Sequence, residues 1–170
     1  YPDSEGSLIS LIRVAEEAEK AEVDSSDVPD EQMSVEKKSK SAQEIYQHII
    51  ERFPDSPLAH VAMLKLGNAE KKAERYEEAI RIFKELLTKK TEGKLRQQIE
   101  TALQDAVLKF ASVHSKDGNY EKSVALLTEI LTDYPNSNLR AEVKGALEKS
   151  LDVIFKKYRK SGNPENLVSY

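Results

Sequence analysis

The 170-residue chain has no cysteine and no tryptophan, and only six glycines and six prolines. Without cysteine there is no disulfide framework, no thiolate metal site and no cysteine nucleophile. No run of 18 apolar residues occurs, so no segment reads as a membrane-spanning helix, and no signal-peptide h-region is present. An excess of one charge is also missing. The 26 basic and 30 acidic residues give a formal charge of −4, and both signs are interspersed. Nucleic acid needs a basic stripe to neutralise phosphate, so it is excluded as the main partner. β-Branched residues are a minority, which argues against an all-β domain. What the chain does have is helix formers. Nearly half of it is Ala, Glu, Lys, Leu and Arg, a level typical of long helices. The first residue is Tyr1, which reads as the start of a processed or excised piece and leaves open an anchor or export signal upstream.

Apolar residues at helical spacing divide the chain into helices. The first starts near Ser7 and carries Leu8, Leu11, Ile12, Ala15 and Ala18 on one face. A polar break with Pro29 predicts a loop over 23–31. The second helix runs from about Glu31 to Phe53, with Ala42, Ile45, Tyr46 and Ile49 in its stripe. Pro54 disfavours helical geometry at Phe53, while Ser56 and Pro57 suit the cap and first residue of the next helix. The third helix is expected from Pro57 to Glu74, the fourth from Tyr76 to Lys89, and the fifth from Lys94 to Lys116. Gly118 then suits a left-handed cap. A sixth helix is expected from Tyr120 to Tyr134 and a seventh from Asn138 to Arg159. Gly162-Asn163-Pro164 opens an eighth that is cut off at Tyr170. Helices joined by such short turns must be antiparallel neighbours.

These helices repeat. A shift of 44 sets Leu95 on Leu139, Ile99 on Val143, Ala102 on Ala146, Leu103 on Leu147 and Phe110 on Ile154. It also sets Gly118-Asn119 on Gly162-Asn163, a coincidence that helical periodicity does not explain. The same shift brings Tyr76 onto Tyr120, Ala79 onto Ser123 and Phe83 onto Leu127. A shift of 37 brings Ala42 onto Ala79, Tyr46 onto Phe83 and Ile49 onto Leu86. Phe53-Pro54-Asp55-Ser56 and Tyr134-Pro135-Asn136-Ser137 end equivalent units. Such self-similarity is the signature of a repeat solenoid.

The repeat unit resembles the tetratricopeptide (TPR) family. Leu66-Gly67 looks like its Leu-Gly pair, Ala79 like its small contact residue, Phe83 like its aromatic, and Pro54 and Pro135 like the Pro that ends a repeat. Phe110-Ala111, Ser123 and Leu127 repeat the pattern more weakly. Phe155 stands where a small residue belongs, so the last pair is expected to pack more loosely or to be rotated. The resemblance implies an all-α, TPR-like superhelical stack of antiparallel hairpins, with about seven helices and a truncated eighth, forming a single domain over 1–170. The hairpins would be 7–53, 57–89, 94–134 and an incomplete 138–170.

No Gly-rich phosphate loop, nucleophile elbow or paired-His zinc motif is present. His48, His60 and His114 are not at helical spacing from one another, and the adjacent carboxylates read as solvated helix faces. The spacings Glu74/Glu78 and Lys71/Arg75 read as helix-surface pairing. We therefore expect no catalysis, cofactor or metal. The TPR resemblance implies a concave groove that binds a protein or peptide partner. Its register places Leu64, Asn68 and Lys71 in that groove on the third helix. On the fifth it places Asp105, Leu108, Ser112 and Ser115, and on the seventh Asp152, Lys156 and Arg159. Asn68 with Lys71 resembles half of a carboxylate clamp, although the fifth helix lacks the matching Lys and Asn. The Pro-containing repeat endings resemble those of bacterial cell-envelope TPR proteins, which implies a periplasmic or envelope location, with the cytoplasm as the alternative. Two other roles are compatible with the residues: a homodimer through an uncovered C-terminal end, and a regulatory domain of a larger enzyme.

Overall fold

The computed structural model describes residues 5–20 and 32–161. The expected loop 23–31 and the expected eighth helix lie outside the described residues. Within them the fold is an all-α, TPR-like stack of antiparallel helical hairpins. The helices are α1 (Glu5–Lys20), α2 (Gln32–Arg52), α3 (Pro57–Lys72), α4 (Tyr76–Thr88), α5 (Gly93–Lys116), α6 (Tyr120–Asp133) and α7 (Arg140–Ser161). Contacts divide the chain into two compact units, Tyr1–Ile99 and Glu100–Tyr170.

In the first unit α1 packs on α2 and α3, α2 packs on α3, and α3 packs on α4. The residues that coincide at a shift of 37 are the ones this packing uses. Ala42, Tyr46 and Ile49 on α2 and Ala79, Phe83 and Leu86 on α4 are all buried. Gly67 explains why α3 and α4 come so close. A Cβ built on it would lie 2.5 Å from Cε1 of Phe83, so the ring occupies the place a side chain would take. Across the outer face, Lys65 Nζ on α3 meets Glu16 Oε1 on α1 at 2.9 Å.

Local chemistry sets the helix ends. Ser56 holds an extended backbone and its hydroxyl accepts from the Ala59 amide at 3.0 Å, with Pro57 opening α3. This is the cap anticipated from the sequence. The C-terminus of α3 falls earlier than Glu74. Glu74 has φ 59°, the Arg75 amide donates to the Glu70 carbonyl at 3.0 Å, and the Glu74 amide donates to the Lys71 carbonyl at 3.2 Å. The same closure ends α5. Gly118 has φ 80°, Asn119 N–H donates to His114 C=O at 2.8 Å, and Gly118 N–H donates to Ser115 C=O at 3.2 Å. Both are left-handed C-terminal closures of the Schellman type, 44 residues apart, one built on glycine and the other on glutamate.

That early ending also changes the ion pairs. Glu74 and Arg75 lie past the last turn of α3, so neither completes a pair at helical spacing along it. The Arg75 guanidinium donates instead to the Glu70 carboxylate. Glu78 is paired by Arg81, whose Nε donates to its Oε2 at 2.9 Å. Arg81 also reaches Glu85 Oε2 at 3.3 Å.

In the second unit α6 packs on α7. The core here includes Ala102, Leu103, Ala106, Val107 and Ala111 from α5, Val124, Leu127 and Ile130 from α6, and Val143 and Ile154 from α7. Ser137 ties the turn before α7 to α5. Its hydroxyl donates to the side-chain carbonyl of the buried Gln104 and accepts from the Leu139 amide at 3.0 Å. Phe155, at the repeat position filled by Gly67 and Ala111, is 40% exposed. The looser or rotated last pair expected from this residue involves the eighth helix and lies outside the described residues.

Candidate functional site

A cleft of about 620 Å³ lies within the second unit. From α5, Asp105, Leu108, Lys109, Ser112 and Ser115 line it. These positions recur every three or four residues and so form one stripe of the helix. From the start and middle of α6 come Tyr120, Ser123 and Leu127. From α7 come Glu142, Gly145, Ala146, Lys149, Ser150 and Val153. The size is that of an ordinary ligand pocket.

Three serines, one from each helix, join hydroxyl to hydroxyl in the cleft wall. Ser115 Oγ donates to Ser123 Oγ at 2.8 Å. Ser150 Oγ lies 3.1 Å from Ser115 Oγ and 3.2 Å from Ser123 Oγ. Ser123 and Ser150 are almost fully buried, at 1% and 3% exposure. Each hydroxyl has one proton and two lone pairs. A three-membered ring therefore satisfies every donor and leaves acceptor capacity toward the cleft. Burying these groups without partners would be costly.

Charge at the cleft is balanced, with Asp105 and Glu142 against Lys109 and Lys149. Lys109 Nζ lies 3.3 Å from Asp105 Oδ2, one helical turn apart. The apolar part is Leu108, Leu127, Ala146 and Val153, and Val153 is 37% exposed despite its chemistry.

The structure treats the groove residues expected from the sequence in three ways. It brings together Asp105, Leu108 and Ser112, with Ser115, on the α5 side of the cleft. Asp152, Lys156 and Arg159 are exposed on α7 but lie outside this lining. The side of α7 that faces the cleft runs through 142, 145/146, 149/150 and 153, and the other three occupy an adjacent stripe, where Lys156 Nζ pairs with Asp152 Oδ2 at 2.5 Å. Leu64, Asn68 and Lys71 are in the first unit. Leu64 is only 9% exposed and belongs to the core, while Asn68 and Lys71 are half-buried.

Lys109, Tyr120, Ser123, Leu127 and the whole α7 lining were not anticipated. One signal was available. At the 44-residue shift, Ser123 and Ser150 stand opposite Ala79 and Ala106, so each carries a hydroxyl where the preceding repeat has a methyl.

The remaining chemistry is sparse. His48 is exposed and His60 is buried, and the His114 ring is tilted against Phe110 with centroids 4.4 Å apart. Among the described residues no group of three or more His, Cys, Asp or Glu side chains is placed to hold a metal ion. No described helix is long and apolar enough to cross a membrane.

Helical hairpins closed by small-residue contacts, repeating along the chain, define a helical-repeat protein. Within it, residues 61–89 and 105–137 are each similar to the tetratricopeptide repeat, whose family model matches both segments. The first match spans the Gly67–Phe83 contact and the second spans the α5 and α6 walls of the cleft. No curated protein and no solved structure matches the chain. Tetratricopeptide repeats generally mediate protein–protein interaction or scaffolding and are typically non-catalytic.

Proposed function

We propose that this chain is a non-catalytic interaction module that holds a segment of a partner protein in the cleft between α5, α6 and α7. The observation that carries this reading is the cleft itself. It is as large as a ligand pocket, it lies across a matched repeat, and its lining combines apolar side chains with hydroxyls and balanced charges. Such a surface suits a peptide, whose backbone and side chains offer both kinds of group. Site-specific photo-crosslinking tests it. A photoreactive residue at Ser112, inside the cleft, is expected to trap a protein partner in the native host, and the same residue at Lys122, exposed outside the lining, is not. Equal trapping from both positions, or none from Ser112, would remove the cleft assignment.

A bacterial cell-envelope setting is part of the proposal. It rests on the likeness of the Phe-Pro-Asp-Ser and Tyr-Pro-Asn-Ser endings to envelope TPR proteins, and fractionation of the native host that finds the protein only in cytosol would count against it. Self-association is a second reading, favoured by the outward Phe155 on α7. Under it, sedimentation at micromolar concentration yields a dimer that Phe155→Lys converts to monomer.

A further inference from the structure

We infer that the partner segment anchors itself by one bulky, uncharged apolar side chain seated over Gly145; this rests on the reading of the cleft as a peptide groove. Gly145 lies in the interior of α7, where glycine weakens a helix relative to alanine. Two ordinary reasons for tolerating it are absent. Its backbone is not in the left-handed region, which among the described glycines is occupied by Gly93 and Gly118. Nor does packing among the described residues require the missing side chain, because a Cβ added there meets none of their heavy atoms within 4 Å.

Gly67 provides the contrast within the same chain. Its vacant side is filled by Phe83, whose ring would come within 2.5 Å of an added Cβ. At Gly145 the equivalent vacancy opens into the cleft and is filled by nothing among the described residues.

The surroundings specify what fits. Leu108 and Val153 line the same cleft and present apolar surface to it, and Val153 is over one-third exposed. Burying that surface together with an incoming aliphatic or aromatic side chain is the main source of affinity available. The charges select against a charged anchor. Asp105 is already paired with Lys109 at 3.3 Å, and the lining acids and bases balance, so neither sign gains a net attraction that would repay its desolvation. The hydroxyls of Ser112 and Ser115 suit the backbone amides that flank the anchor.

The test uses the whole 170-residue chain and a displayed library of random 12-residue peptides as the probe. Selected peptides are expected to share one large apolar residue, and replacing it by alanine is expected to weaken binding about ten- to hundredfold. Gly145→Leu fills the socket from within and is expected to weaken binding by a similar factor. Gly145→Ala controls for folding. It is expected to raise the melting temperature by about 2–4 °C through helix propensity while weakening binding only a few-fold. Peptides that bind the wild-type chain and Gly145→Leu equally well overturn the socket and leave the groove standing. Selection that yields no binder overturns both. A concentration-dependent dimer that Gly145→Leu dissociates puts a second copy in the cleft and overturns the peptide occupant.

Discussion

Gly67 and Phe83 form a matched pair in which the size of one residue sets the size of the other. Gly67→Ala gains about 1 kcal/mol of helix propensity. It also drives a methyl into a ring with no exposed surface to retreat to, an overpacking cost of about 1–3 kcal/mol. We expect net destabilisation in urea unfolding. The next repeat carries Ala111 and Leu127 at the corresponding positions, a larger small residue with a smaller partner. Adding Phe83→Leu to Gly67→Ala is therefore expected to cost less than the two single changes summed, and a double-mutant cycle measures the difference. Glu74 offers the opposite case. A side chain in left-handed geometry costs about 1–2 kcal/mol, and part of this is offset because glycine adds freedom to the unfolded chain. Glu74→Gly should stabilise by roughly 0.5–1 kcal/mol, with Gly118→Ala destabilising by a similar amount. An unchanged unfolding midpoint in both variants would refute the strain.

At the scale of the element, α4 is stiffened along its exposed face by Arg81 between Glu78 and Glu85. The hydrogen bond from Arg81, with its charge behind it, holds the Glu78 carboxyl below the usual carboxylate range. The same contact raises the Arg81 guanidinium, and the bond to Glu70 likewise raises Arg75. For an acid depressed in the folded state, the stabilisation is complete above its unfolded pKa and disappears as pH falls through the lower folded value. The pair is solvent-exposed, so its worth is only about 0.2–0.5 kcal/mol. Wild type should exceed Glu78→Gln by that margin at neutral pH and lose the advantage in the acid range below the unfolded pKa. A difference that persists at the acid end of a thermal-melt series would be contrary to this account. The element scale is also where sequence reading served best. The seven stripes, the Ser56 cap and the Gly118 cap were legible because periodicity and capping are local properties of consecutive residues. The end of α3 was not, because glutamate carries no signal for left-handed backbone, and only comparison with Gly118 at the 44-residue shift hints at it.

For the molecule as a whole, burial differs from helix to helix. Half of α3 is buried, eight of its sixteen residues. In the longer α7 the buried side chains are Val143, Ser150 and Ile154, while Val153 and Phe155 face outward. Local opening follows the number of buried apolar groups. Hydrogen exchange should therefore be slower in α3 and α4 than in the C-terminal half of α7. Equal protection in α3 and α7 would show that something covers α7 in solution.

The order of the helices, their pairing into hairpins and the repeat itself followed from sequence alone. Helical period, turn chemistry and chain length constrain neighbouring elements before any long-range contact is known. That Asp105, Leu108, Ser112 and Ser115 share one stripe followed as well, because one helix keeps its register. The tertiary structure decided which stripe of α7 meets α5. It also decided that Ser115, Ser123 and Ser150 close a ring and that Gly145, among the described residues, meets no neighbour while Gly67 is filled by Phe83. Each of these depends on the rotation of one helix against another, which side-chain volumes at the interface set and no periodicity encodes.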